Sequence, residues 1–276
     1  MSEITVLKFG GTSVKNIQRL RHVASIVEER SKKHKVIVVV SAMGDTTDRL
    51  VQLAGQCCST PAAQELDVLL ATGEQVTIAL LTILLQEAGL KARSFTGGQA
   101  GIVTNDEHTN ADILKIDHQA IKAALASFDV LVVAGFQGAT ANGAITTLGR
   151  GGSDTTAVAI AAAVNASSCE IFTDVDGIYD QDPNNCTDAK KFDQISFEHC
   201  LQLANDGAQV IHPRAVLAAQ SAELPVRVRS TFCLSDAGTL IGSAENERFV
   251  RPKLTVVPPY QFGQSLSAQN LSAAHA

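Results

Sequence analysis

Short apolar runs alternate along the chain with longer stretches in which apolar residues recur every three to four positions. Residues 4–9 form an apolar run that ends in Gly10-Gly11, after which Ile17, Leu20, Val23, Ala24, Ile26 and Val27 recur at helical spacing through Arg30. Strand, glycine turn and helix are predicted there. Residues 36–40 are consecutive β-branched residues, the mark of a strand buried on both faces of a parallel sheet, and residues 41–48 read as a polar loop. From Leu50 to Gly89 the pattern is helical and apolar, with interruptions expected at Ser59-Thr60-Pro61 and near Thr72-Gly73. Strands are predicted around residues 93–95, 102–104 and 130–134, a helix over about 118–126, and a hairpin at Asn142-Gly143. Gly149-Arg150-Gly151-Gly152-Ser153 opens an alanine-rich helix over 154–165, followed by a strand at 170–173 and a turn-rich stretch through Asn185. Helices near 197–205 and 213–222 and a strand at 226–229 complete a β/α alternation that predicts an α/β fold.

Composition narrows the class. The chain has 276 residues, 45% hydrophobic and 18% charged, enough to bury one large or two small cores and incompatible with disorder over most of its length. With 22 Lys+Arg against 28 Asp+Glu, and no cationic run beyond residues 32–35, where His34 interrupts three lysines, no nucleic-acid partner is expected. No window approaches about 20 uninterrupted apolar residues and the first residues lack a signal-peptide pattern, so no membrane association and a cytoplasmic location are expected. Cys57, Cys58, Cys169, Cys186, Cys200 and Cys233 form no C-x-x-C pair and have no His at metal-ligand spacing; they read as free thiols. No protein-held metal is expected.

Three clusters carry candidate chemistry. Lys8 stands at the end of the first strand beside Gly10 and Gly11, where side-chain-free amides and a following helix suit a phosphate; a plain strand-to-helix turn with a solvated lysine fits the same residues. The second cluster, residues 149–152, again precedes a helix and again carries a cation, Arg150. Ser153 reads equally as an N-cap or a ligand, and Asp154 as an N-cap or as an ion-pair partner that orients Lys8. The third is the segment 173–183, Thr-Asp-Val-Asp-Gly-Ile-Tyr-Asp-Gln-Asp-Pro, whose glycine falls too early for an EF-hand and which no Glu closes; Asp-Gly and Asp-Pro turns account for part of it. Glu74, beside the expected break at Gly73, and the 41–48 loop are further candidate ligands. Neither a P-loop nor a G-x-G-x-x-G signature is present. Cations and glycine loops without an obvious general base suit phosphoryl transfer to a carboxylate, a nucleophile already deprotonated.

Lys8-Phe9-Gly10-Gly11-Thr12-Ser13, residues 149–154 and residues 173–183 resemble motifs of the amino acid kinases, and Ser94-Phe95-Thr96-Gly97-Gly98-Gln99-Ala100-Gly101 is similar to the aspartate kinases within that family. The similarity spans about residues 4–242. The resemblance implies a three-layer αβα sandwich on a largely parallel sheet, the fold shared with carbamate kinase, and transfer of the γ-phosphoryl group of ATP to the side-chain carboxylate of L-aspartate, the first step towards lysine, threonine and methionine. It implies Lys8 as the residue stabilising the phosphoryl group, Asp154 as its holder, and Gly10, Gly11 and Gly151 along the phosphates. Arg150 would bind the α-carboxylate and Glu74 the ammonium, with Ser41, Thr47, Phe136 and Ser153 bordering the amino acid. Thr173, Asp174, Tyr179 and Asp182 match the adenine-nucleotide side, and magnesium would travel with ATP.

Two departures accompany the resemblance. The family has a lysine where this chain has Gln209, on the nucleotide side, which removes one cation from the phosphoryl clamp. Aspartate kinases commonly continue into ACT domains; here a catalytic domain over 1–244 and an extended or disordered tail over 245–276 are expected, with no ACT domains and no feedback through this chain by lysine or threonine. A homodimer through the catalytic domain is compatible with the wider family. Two other functions fit the same motifs: a carboxylate kinase with another acceptor, and a catalytically weak nucleotide- or amino-acid-binding protein.

Overall fold

The structure, a computed structural model, describes residues 3–243 apart from 184, 187 and 207–209, together with the backbone of Arg248–Val250. In chain order the first half holds β1 (Ile4–Phe9), α1 (Ile17–Ser31), β2 (Lys35–Val40), α2 (Thr46–Cys57), α3 (Ala63–Glu87), β3 (Ala92–Phe95), β4 (Ile102–Thr104), β5 (Ile113–Ile116), α4 (His118–Ser127) and β6 (Val130–Ala134). The second half holds β7 (Gln137–Thr140), β8 (Ile145–Thr147), α5 (Gly152–Val164), β9 (Ser168–Thr173), β10 (Lys191–Ser196), α6 (Phe197–Asn205), α7 (Pro213–Ser221), β11 (Val226–Ser230), β12 (Thr239–Gly242) and β13 (Arg248–Val250).

The main sheet runs β13-β10-β12-β11-β9-β1-β2-β6-β3, parallel from β11 to β3, with antiparallel pairs only at β11/β12 and β10/β13. Strand alternation sorts its side chains into two cores. Val36, Val38 and Val40 of β2 join Leu7, Phe9 and the inner faces of α1 and α3, whereas Ile37 and Val39 join residues of α4, α5, α6 and α7. This is the three-layer αβα sandwich. A second sheet, β5-β4-β7-β8, holds the hairpin expected at Asn142-Gly143, with Gly143 at φ 84°.

β1 lies centrally between β2 and β9, and the chain fills the sheet in one direction before returning to fill the other. Carboxyl ends of parallel strands at such a reversal leave a crevice for ligands. Phe9 and Phe172 stack across β1 and β9 with ring centroids 4.7 Å apart. The buried carboxylate of Glu170 is satisfied by two guanidinium groups, Arg30 at 2.9 Å and Arg229 at 3.0 Å, which tie α1 and β11 to β9.

Several expectations are corrected. α3 runs unbroken through Thr72-Gly73; a Cβ at Gly73 would meet that of Ala42 at 2.9 Å, so glycine serves close packing there and not a helix break. Against the expectation that no window suits a membrane, α3 is long and apolar enough by length and composition to cross one. Its buried face, however, carries Asp67, Glu74 and Thr77 and packs in the core beside α1, α2 and the sheet. β5, β10 and β12 were not predicted. β10 reads as polar because Lys191 within it is buried on Asp236, 2.6 Å away. Of the expected tail over 245–276, only the backbone of β13 is described, paired antiparallel with β10; the rest lies outside the described residues.

Candidate active site

Main-chain bonds carry the strand register into the loops at the carboxyl ends of the central strands: Ser41 N–H donates to Phe9 O at 3.1 Å, Gly135 N–H to Val40 O at 3.0 Å and Gly10 N–H to Phe172 O at 3.3 Å. These loops and the start of α5 surround a cleft of about 470 Å3. Lys8, Gly10, Gly11, Ser41, Thr47, Glu74, Phe136, Arg150, Gly151, Ser153 and Asp154 all border it, so the two glycine clusters and the residues matched to the amino acid side meet in one place.

On its wall the ammonium of Lys8 lies 2.6 Å from Oδ1 of Asp154, with both side chains nearly buried. Of the alternatives left by the sequence, the ion pair is the one observed: α5 begins behind Gly151 with no side-chain cap. A Cβ on Gly10 would stand 3.4 Å from the Lys8 ammonium, so glycine keeps the approach to that charge open. α1 starts only at Ile17, behind the Asn16 cap, and residues 12–17 do not border the cleft; the helix N-terminus that opens on it is that of α5. Gly151 adopts φ 70°, and a Cβ there would fall 2.1 Å from Cβ and Cγ of His212. Gly151→Ala is therefore expected to cost about 2–4 kcal/mol, from left-handed strain and displacement of His212, read as a fall in Tm.

The residues matched to the amino acid are held differently. Glu74, 2% exposed on α3, accepts the Ala42 N–H at 2.9 Å through Oε1, while Oε2 is buried without a partner. Burial pushes its carboxyl from 4.5 up to about 7, against the opposing pull of the Ala42 bond. Arg150 is exposed and has no carboxylate within ion-pair distance among the described residues. Phe136 holds φ 67°, a left-handed conformation unusual for an aromatic residue, with its N–H on Thr156 Oγ1 at 3.2 Å. Ser153 is buried under Gly135, where a Cβ would meet its Oγ at 2.7 Å.

The residues matched to the nucleotide side form a separate group at the end of β9 and do not border this cleft. Thr173 Oγ1 donates to Asp174 at 3.1 Å, the Tyr179 hydroxyl donates to Asp176 at 2.9 Å, and Asp182 accepts from Asn185 at 2.7 Å. Burial, and then Asp176, pushes the Tyr179 phenol well above its ordinary range. Gln209 lies outside the described residues. The 94–101 motif borders neither group; Gly97 abuts Gln137 O of β7, so closely that a Cβ would fall 1.9 Å from it. All six cysteines are free, and burial pushes the Cys169 and Cys200 thiols up to about 12.

Sequence reasoning missed Asp67, Arg214 and Lys191. Arg214 forks onto Leu148 O at 2.7 Å, Asn110 at 3.1 Å and Ala111 O at 3.0 Å, pinning α7 to the loop before Arg150. Asp67 and Glu74 lie seven residues apart on one helical face, and a carboxylate inside an otherwise apolar stripe was the available signal.

The fold and cleft define a three-layer α/β protein whose anion-receptive crevice opens where the strand order reverses. Within that class the chain belongs to the amino acid kinase family, whose model matches residues 3–230. It is 53% identical over 239 residues to the aspartokinase of Geobacillus stearothermophilus, covering 86% of this chain and 58% of that protein. Among solved structures it resembles the aspartate kinase of Synechocystis, with TM-score 0.76 and 45% identity over 87% of this chain and 40% of that one. It also resembles E. coli aspartokinase III in complex with aspartate and ADP, with TM-score 0.79 and 29% identity over 88% of this chain and 65% of that one. The chain thus spans less than two thirds of each of these relatives.

Proposed function

We propose that this chain carries the catalytic site of an aspartate kinase, transferring the γ-phosphoryl group of ATP to the side-chain carboxylate of L-aspartate to give 4-phospho-L-aspartate and ADP. One observation carries the reading: the Lys8–Asp154 pair shares its cleft with Arg150, an exposed cation, and with Glu74, a buried carboxylate whose Oε2 has no partner. A cation and an anion in one cleft suit the carboxylate and ammonium of an α-amino acid; the held ammonium of Lys8 suits a phosphoryl group. The relatives named aspartokinase, one of them solved with aspartate and ADP, support the same substrates.

The chemistry follows from charge. Arg150 binds the α-carboxylate through its planar fork and Glu74 takes the α-ammonium on Oε2, which leaves the side-chain carboxylate facing Lys8. A carboxylate oxygen attacks the γ-phosphorus in line; the new O–P bond forms as the bond to the ADP oxygen breaks, and no proton is transferred. Two anions must approach each other, and Lys8 offsets their repulsion while Asp154 keeps the ammonium in register. The N-terminus of α5 and the amides at Gly10, Gly11 and Gly151 favour phosphate oxygens.

Thr173, Asp174, Tyr179, Asp182 and Gln209 form the nucleotide side. Magnesium would travel with the phosphates of ATP, where it would neutralise charge. The product is an activated precursor for lysine, threonine and methionine, the compartment is the cytoplasm, and a homodimer through the catalytic domain completes the reading.

The test is ATP- and magnesium-dependent acyl-phosphate formation from L-aspartate, trapped as the hydroxamate. Arg150→Ala is expected to raise the aspartate KM about 10- to 100-fold with the ATP KM little changed. Product from a different carboxylic acid but none from L-aspartate would replace the acceptor; product from no acid would end the reading.

A further inference from the structure

Asp67 is fully buried on α3 and used by no step above. It does not border the cleft, but two residues that do are fastened to it: Thr147 donates its hydroxyl to Oδ1 at 2.5 Å, and Thr109 directs its N–H to both carboxylate oxygens at 3.0 Å. His108 closes the set, with Nδ1 2.7 Å from Oδ2. Four interactions converge on a group that leaves water only when its oxygens are satisfied.

Both attachments lead to Arg150. Thr147 ends β8 and is separated from the Gly149-Arg150 turn by Leu148 alone. Thr109 holds a left-handed φ of 69°, a conformation that persists when its surroundings fix it, and Asp67 holds its N–H. Gly149, itself at φ 72°, leans on this strained turn; a Cβ there would meet Asn110 Oδ1 at 2.9 Å and Thr109 O at 3.2 Å. Seven residues along the same face of α3, about 10 Å by helical rise, stands Glu74. Between the two, Ala71 O accepts the Gln137 side-chain amide at 2.9 Å, fastening β7 to that face as well. One rigid helix therefore carries the ammonium-receiving carboxylate and the anchor of the arginine loop.

We propose that Asp67 is a positioning residue for acceptor recognition: by holding Thr147 and Thr109 it fixes the Gly149-Arg150 turn at a set distance from Glu74, so that α3 acts as a ruler for the carboxylate and ammonium of the amino acid head group. The inference rests on the acceptor reading above and adds a residue that touches neither substrate.

Hydroxamate kinetics with aspartate and ATP varied separately test it, on the full chain. Asp67→Asn, which keeps the shape and removes the charge and one acceptor oxygen, is expected to raise the aspartate KM about 10-fold or more with the ATP KM within about twofold. Thr147→Val is expected to move the same constant in the same direction, and Thr147→Ser, which retains the hydroxyl, to restore it. Combined with Arg150→Ala, Asp67→Asn is expected to add little, because it acts through that residue. An unchanged aspartate KM in Asp67→Asn, equal rises in both KM values, or Thr147→Ser behaving like Thr147→Val would overturn the proposal. Should Asp67→Asn fail to fold, the Thr147 pair decides. Absence of product from the unmodified protein removes the acceptor reading, and this one with it; product with the wrong KM pattern removes this one alone.

Discussion

Lys8→Ala is expected to lower the rate of acyl-phosphate formation by about 10³-fold, the scale associated with removing a positioned cation or donor from a charged transition state. The reason lies in where the ammonium sits. It projects from a strand hydrogen-bonded on both sides, 2.6 Å from Asp154, with Gly10 leaving the approach to it clear. Among the described residues no other lysine borders the cleft, and its one other cation, Arg150, is exposed. Asp154→Asn is expected to have a smaller effect, about 10²-fold, since the ammonium would remain with less restraint; the double variant is expected to be no slower than Lys8→Ala alone, because the two act as a unit. Hydroxamate assays beside thermal melts check this, and near-normal turnover in Lys8→Ala would remove Lys8 from the chemistry.

Glu74→Gln is expected to separate binding from stability. With its carboxyl raised to about 7 by burial, Glu74 in the free protein is protonated below that pH and cannot attract an ammonium; kcat/KM for aspartate therefore rises with pH to about 7 and then levels off for this group. The glutamine variant is expected to lose that limb and to raise the aspartate KM about 10²-fold. Stability moves the other way. The folded carboxyl binds its proton more tightly than the unfolded one, so the resulting stabilisation is full below the ordinary value of 4.5 and is lost as pH rises through 7. Above pH 7 the native protein holds a buried charge at a cost on the order of 3 kcal/mol, which the variant lacks. Melting curves at acid and alkaline pH are expected to show the variant gaining on the native protein as pH rises; a difference that does not change with pH would mean the carboxyl is not buried as described.

How much of this was legible in the sequence depended on the kind of signal. Buried parallel strands announced themselves: residues 36–40 could only be a two-sided strand, and glycines followed by a helix marked the cleft. Of the residues bordering the cleft, Lys8, Gly10, Gly11 and residues 150–154 stood out as two contiguous motifs, whereas Thr47, Glu74 and Phe136 are scattered along the chain. What escaped depended on contacts between distant residues. β10 looked polar because the partner that neutralises Lys191, Asp236, lies 45 residues away. Gly73 looked like a break because its packing against Ala42 is tertiary. Asp67 gave a faint signal, since a carboxylate on an apolar helical face gains meaning only when Thr109, Thr147 and His108 are brought to it.

The central position of β1 has a consequence for how the chain is made. Once made, β1 finds β2 within a few dozen residues, but its other neighbour, β9, is synthesised only after β2 to β8 have emerged. Until then the strand that bears Lys8 is an open edge, with unpaired main-chain groups and Phe9 lacking the ring of Phe172. Pairing across so long a stretch of chain is slow, and the nascent protein passes through an interval in which a strand buried in the finished fold is exposed along one edge. The same contact that carries the strand register into the Gly10-Gly11 loop, Gly10 on Phe172, is thus the one that closes the vulnerable edge.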